Sequence, residues 1–260
     1  MASDTLHFEM VDSVGKITLN RPSVFNSFNR EMAIALQETL DYCEANDEVR
    51  SIYLTAVGKA FCAGQDLQEA TDPDGPGIER IVEEHYNPII QKIRSIEKPI
   101  VCAVNGVAAG AGANIALACD ITVAQESSNF IQAFSSIGLI PDSGGTYFLP
   151  RLIGRQKATA LMMLADKISA TEAQQMGMIY QALPDEGFEE ASMAIAIKLS
   201  KRPTVGLGLT KRLLNETFQN SLEKQLNREG EEQVVAASSD DYNEGVQAFL
   251  EKRKPEFTGK

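Results

Sequence analysis

In the stretch "GLIPDSGGT", Gly138 to Thr146, one carboxylate stands between a proline and a serine, just ahead of a glycine pair. The apolar runs "FIQAFSSI" and "YFLPRLI" flank it. An acid in this setting, Asp142, has two uses. It caps a helix starting near the glycines, since a carboxylate oxygen accepts the free N–H groups of a first turn. Or it moves protons, if burial among Ile140, Pro141 and Phe148 raises its pKa toward a working range.

Two further segments offer chemistry through the main chain: "AFCAGQDL" (60–67) and "NGVAAGAGANIALACD" (105–120). Each follows a β-rich run, and each is built of small residues that let a ligand approach the backbone. The second enters an Ala-rich helix, whose first N–H groups lack intrahelical partners and can face an anion or a polarised carbonyl. Two such N–H groups converging on one oxygen make an oxyanion hole. Small residues after a strand equally serve close packing of helix on sheet, and the residues alone leave both readings open. "GAGANI" lacks the third small residue of a dinucleotide fingerprint, and no phosphate-binding P-loop is present.

Other chemistries find little support. The only histidines are His7, in a strand, and His85, in "VEEHYNP". Both read as solvated or structural, and nothing in the spacing joins either to Ser143 in a triad. Cys43, Cys62, Cys102 and Cys119 form no C-x-x-C pair, which argues against a zinc or redox site and for buried free thiols in a reducing compartment. A formal net charge of −12 argues against nucleic-acid binding. "MASDTLHFEM" lacks the layout of a signal peptide and no apolar run approaches a membrane span, so a cytoplasmic location is expected.

These residues need elements to position them. "LHFEMV" and "GKITLN" read as strands joined by a turn at "DSVG", and Asn29 caps a helix through "REMAIALQETLDYCEAN". "VRSIYLTAV", "KPIVCAVNG" and "ITVA" read as strands. "IERIVEEHYNPIIQKIRSI" reads as a helix that Pro88 kinks or divides. Ser169 and Glu172 form a capping box, with Gly177 as the stop. Helical patterns then occupy roughly 186–200, 205–218, 220–237 and 241–252. Strand–helix alternation followed by helices alone predicts an α/β core over residues 1–195 and a helical C-terminal region over 196–260.

Taken together, "ITLNRPSVFNSFN", "GKAFCAGQDL", "KPIVCAVNGVAAGAGANIALACDI", "FSSIGLIPDSGGTYFLPRLIG", "ATEAQQMGMI" and "GVQAFLEKRKPEFTGK" resemble, in order and over nearly the whole chain, the crotonase (enoyl-CoA hydratase/isomerase) superfamily. The resemblance implies a spiral of ββα units with a helical trimerisation region, assembled as a homotrimer or a hexamer of two trimers. It implies an acyl-CoA thioester substrate and no cofactor, the CoA being part of the substrate. It puts the oxyanion donors on the N–H groups of Gln65 and Ala111, with Ala63, Gly64 and Gly110 of the two turns among the substrate-binding residues.

The two glutamates of the family's hydratases are missing: their positions hold Asn114 and Phe134. Neither side chain exchanges protons with water, so the resemblance points to an isomerase with Asp142 as the single proton shuttle. Such an enzyme shifts a double bond or converts a ring epoxide to an oxepin; hydration of a 2-enoyl-CoA is the alternative reading. An acyl-CoA-binding or RNA-binding member without catalysis ranks lower. Phe134 is expected in an apolar wall. Asn114 either bonds substrate or packs, and Asp66 either lines the site or steadies its turn. Lys252, with Arg253 and Lys254, either meets CoA phosphates or forms a solvated helix end.

Overall fold

A computed structural model describes residues 4–260. The chain opens with a hairpin of β1 (Leu6–Val11) and β2 (Val14–Leu19), whose two turn residues, Asp12 and Ser13, have φ of 48° and 61°. This paired left-handed turn matches the twist of the strands. A 3-10 turn (Pro22–Val24) leads to α1 (Arg30–Ala45), where the Asn29 side chain accepts from the Met32 N–H as expected.

Three strand–strand–helix units follow. The first is β3 (Ser51–Ala56), β4 (Ala60–Cys62), then α2 (Leu67–Thr71), α3 (Gly77–Arg80), a π-turn (Ile81–Tyr86) and α4 (Asn87–Ser95). The second is β5 (Ile100–Val104), β6 (Val107–Ala109) and α5 (Ala111–Ala118). The third is β7 (Ile121–Gln125), β8 (Asn129–Ile131), a 3-10 turn (Ala133–Ile137), α6 (Gly145–Ile153) and α7 (Arg155–Leu164). In each unit the first strand joins a six-stranded sheet of order β1-β2-β3-β5-β7-β10 and the second joins a smaller sheet, β4-β6-β8-β9. The chain thus spirals between two sheets. The short strands β9 (Ile168–Ser169) and β10 (Gln181–Leu183) complete them, on either side of α8 (Ala170–Gln175) with its Ser169–Glu172 capping box.

Runs buried on both faces explain the parallel pairing of β3, β5 and β7. Ile52, Leu54, Ile100, Cys102 and Val104 face α1, α4 and α5, while Tyr53, Val101, Ala103 and Val123 face Phe188, Met193 and Ala196 of α9 (Phe188–Ser200). The expected boundary at 195/196 therefore falls inside a helix that covers the sheet, and the chain leaves the sheets only after Ser200. Beyond it come α10 (Thr204–Glu216), α11 (Leu222–Ala237) and α12 (Asp240–Glu251). The tail is tied down by the buried Asp241, whose carboxylate accepts from Thr258 and Gly259 N–H, and by Arg50, which donates to the Phe257 carbonyl at 2.6 Å.

Pro88 divides its helix, with a π-turn immediately before it. A proline lacks the N–H that would bond the carbonyl four residues back. That carbonyl, on Glu84, accepts instead from Gln37 Nε2 at 2.8 Å, and the His85 carbonyl shares the same donor. No helix is long and apolar enough to cross a membrane among the described residues.

Candidate active site

The turn after β4 is held in register with the chain before α1. Phe28 N–H donates to the Gly64 carbonyl at 2.7 Å, and Asp66 N–H donates to the Phe28 carbonyl at 2.8 Å. In such a bridge the residue between, Gln65, turns its own N–H to the opposite side. The same turn lies against the second one: a Cβ built on Gly64, which has φ of 96°, would lie 3.2 Å from the Ala109 carbonyl and 3.7 Å from the Ala111 nitrogen. Gly110, with φ of 52° and ψ of −126°, swings the chain from β6 into α5, a conformation closed to residues with a Cβ. Ala111 is the first residue of α5, so its N–H has no intrahelical acceptor. The two turns that carry Gln65 and Ala111 are thereby brought against one another.

Small residues also serve packing here. A Cβ on Gly112 would meet the Cys62 carbonyl at 2.5 Å, so α5 rests directly on β4. The packing reading of the turns holds: close packing of α5 on β4 is what brings the second turn to the first. Burial pushes the Cys62 and Cys43 thiols up to about 12, which keeps them protonated and removes them as nucleophiles.

Asp142 does not cap α6 with its side chain. The N-cap position falls on Gly144 with no side-chain bond. The Asp142 main-chain carbonyl takes Gly145 N–H at 2.8 Å, and the carboxylate accepts from Ser143 Oγ at 2.9 Å. The carboxyl group is pushed above its ordinary range, chiefly by burial, with the Ser143 hydroxyl opposing. That burial owes nothing to Ile140, which is 82% exposed, contrary to the expectation from sequence: Ile140 lies on the outer side of the loop. The loop is seated instead on the buried Asn114, whose Nδ2 donates to the Asp142 carbonyl at 2.9 Å while its Oδ1 accepts from Gln132 Nε2 at 2.8 Å. Asn114 therefore engages protein on both ends of its amide, the packing reading rather than the substrate-binding one.

Phe134 is buried, and its ring edge lies 3.7 Å from where a Gly110 Cβ would stand, forming an apolar wall beside the second turn. Asp66 caps α2 by accepting from Gln68 N–H at 3.0 Å and pairs with Arg21 at 2.9 Å, so it steadies its turn. Ala63 N–H bonds the Phe25 carbonyl at 3.0 Å and belongs to the same scaffold. Lys252 ends α12 in a left-handed conformation, exposed, with no contact to the acid or the donor turns among the described residues. Its neighbour Arg253 is paired with Glu244 and Glu251, so the basic patch is partly neutralised.

Sequence reading missed Tyr86 and left His85 open between a solvated and a structural role. Tyr86 is fully buried and donates to Gln65 Oε1 at 2.9 Å, while Gln65 Nε2 donates to Glu69 at 3.0 Å. Burial, followed by the neighbouring Cys62 and Asp142, pushes the Tyr86 phenol well above its ordinary value. Its hydroxyl is thus tied to the first turn through Gln65. His85 is fully buried, not solvated; burial lowers its pKa, and its Nε2 lies 3.3 Å from the Arg30 guanidinium. The π-turn was the missing signal: one extra residue in the turn rotates both side chains inward.

A cavity of about 890 Å³ lies between α4, α6 and α10. Ile90, Phe148 and Leu214 line it, but Asp142, Gln65 and Ala111 do not. Phe148 packs closely against Gly144, leaving no room for a Cβ there.

A sequence profile described as Enoyl-CoA hydratase/isomerase matches residues 9–260. The chain is 48% identical over 247 residues to the 1,2-epoxyphenylacetyl-CoA isomerase of Escherichia coli K12, covering 94% of each. It is 43% identical over 260 residues to a Rhodobacter capsulatus protein named "Probable enoyl-CoA hydratase", covering 100% of each. The crystal structure of an enoyl-CoA hydratase from Bacillus anthracis superposes with a TM-score of 0.92 at 32% identity, over 98% of this chain and 100% of that one.

Proposed function

Since the chain belongs to the enoyl-CoA hydratase/isomerase family and is an enzyme acting on acyl-CoA thioesters, we propose that it is an isomerase working with one acid, Asp142. The carrying observation is that the Asp142 carboxylate is free of capping duty and held half-buried, while Asn114 and Phe134 stand at the positions of the hydratase glutamates.

With a 3-enoyl-CoA the steps balance within the substrate. The carboxylate removes a proton from C2, and the electron pair moves into a dienolate. Its thioester oxygen accepts from the Gln65 and Ala111 N–H groups, which strengthen as charge develops. The protonated acid then returns the same proton to C4, giving the 2-enoyl-CoA with unchanged mass and a regenerated carboxylate. No cofactor is required, since CoA arrives with the substrate. Similarity to the E. coli enzyme supports the ring-epoxide to oxepin isomerisation, and with it a place in phenylacetate degradation in the cytoplasm, as the preferred use of the site. Lys252 remains the candidate for CoA phosphates, reached across a subunit boundary in a homotrimer or hexamer.

Hydration is the second reading, favoured by the hydratase-named R. capsulatus relative. One assay separates them: purified protein and Asp142→Asn are given a 3-enoyl-CoA, a 2-enoyl-CoA and 1,2-epoxyphenylacetyl-CoA, and products are followed by mass. Products of unchanged mass, lost in the variant, are expected. Water addition to the 2-enoyl substrate, undiminished in Asp142→Asn, would sink the one-acid mechanism.

A further inference from the structure

We propose that Asn114 is the positioning residue of Asp142, its amide, which also takes a hydrogen bond from Gln132, anchoring the acid's main chain to the helix carrying the Ala111 donor. This rests on Asp142 being the acid. The polarity of the chain of bonds follows from its last member. The Asp142 carbonyl only accepts, so Asn114 must turn Nδ2 toward it, at 2.9 Å. Asn114 Oδ1 then faces Gln132 and takes its Nε2 at 2.8 Å. Both amides are buried, where a flip would leave donor against donor and acceptor against acceptor.

Three separate elements meet in these bonds. Gln132 follows β8, Asn114 lies in α5, and Asp142 precedes α6. Asn114 is three residues after Ala111 on the same helix, so one helical turn and one hydrogen bond set the separation of acid and oxyanion donor. The acid's loop needs such an anchor, because it runs through two consecutive left-handed residues, Ser143 at φ 50° and Gly144 at φ 72°. Gly145 completes the fit: a Cβ there would run into the Asn114 amide.

The test uses isomerisation of 3-hexenoyl-CoA by wild type, Asn114→Leu, Asp142→Asn and the double variant, with melting temperatures. Misplacing a reacting group by about 1 Å costs on the order of 100-fold. Asn114→Leu is therefore expected to lower kcat by about 10–100-fold with KM within about threefold. The double variant is expected to be no slower than Asp142→Asn alone, because Asn114 acts only through the acid. Should Asn114→Leu fail to fold, Gln132→Leu decides: it keeps the Asn114 donor but frees the amide to turn, and kcat is expected to fall by about 3–10-fold with KM held. An unchanged kcat, a rise in KM alone, or a loss that multiplies with that of Asp142→Asn overturns the positioning role while the acid stands. A wild-type rate in Asp142→Asn instead removes the acid reading, and this inference with it.

Discussion

At the scale of single residues, the site is set by what surrounds each polar group. The folded protein favours the neutral form of Asp142, because burial raises its pKa. Its stabilising contribution is therefore fully present below the ordinary carboxylate range and is lost as pH rises through the raised value. Asp142→Asn should accordingly melt at a higher temperature than wild type at pH 8, with the advantage vanishing near pH 4 or below, about the ordinary carboxylate value. Calorimetry across that range checks it, and equal melting at both ends would contradict the burial. In the proposed mechanism catalysis runs the other way: the ionised Asp142 is the base, so kcat should climb with pH through the same raised value. Tyr86→Phe keeps the ring and removes the donor to Gln65 Oε1. With that acceptor unpartnered, a loss of about 1–3 kcal/mol is expected in denaturant unfolding, together with a lower kcat.

At the scale of elements, α5 is the pivot. It carries Ala111 at its start and Asn114 one turn later, and all of its residues are buried. Its seat on β4 exists only because Gly112 has no side chain. In Gly112→Ala the new carbon would meet the Cys62 carbonyl and Cβ, neither of which can swing away. A destabilisation of about 1–3 kcal/mol or more is expected by chemical denaturation, with isomerase activity falling further than stability as the Ala111 N–H moves from Gln65. Retained activity at unchanged stability would show that α5 has room to shift. The π-turn before Pro88 acts on the same site from the other side, since it aims Tyr86 at Gln65.

At the scale of the whole molecule, the helical C-terminal region leaves apolar residues uncovered. Phe249 is 83% exposed, and Leu250, Val246, Tyr242 and Val234 are exposed as well. Clustered exposed apolar side chains of this kind mark interaction surfaces in general, and they support the proposed assembly. If the proposed homotrimer forms, light scattering will give a multiple of three chains at micromolar concentration. Phe249→Asp should then shift the mass toward the monomer without loss of helical circular dichroism. A wild-type protein that runs as a monomer would contradict the proposed assembly.

Much of this protein was legible in its sequence because the signals are local. The Asn29 cap, the Ser169–Glu172 box, the Asp12–Ser13 turn and the continuous apolar strands each involve residues a few positions apart. The two small-residue turns after β4 and β6 were legible for the same reason, since glycine and alanine at fixed spacings admit few backbone paths. The setting of Asp142 was not local. It depended on whether α6 would take the carboxylate, and on Asn114, which lies 28 residues away in sequence. The burial of His85, the approach of Tyr86 to Gln65 and the exposure of Ile140 likewise came from segments far apart in the chain. A side chain's type fixes which bonds it can make; only the packing of distant elements decides which partner arrives and which face is left to water.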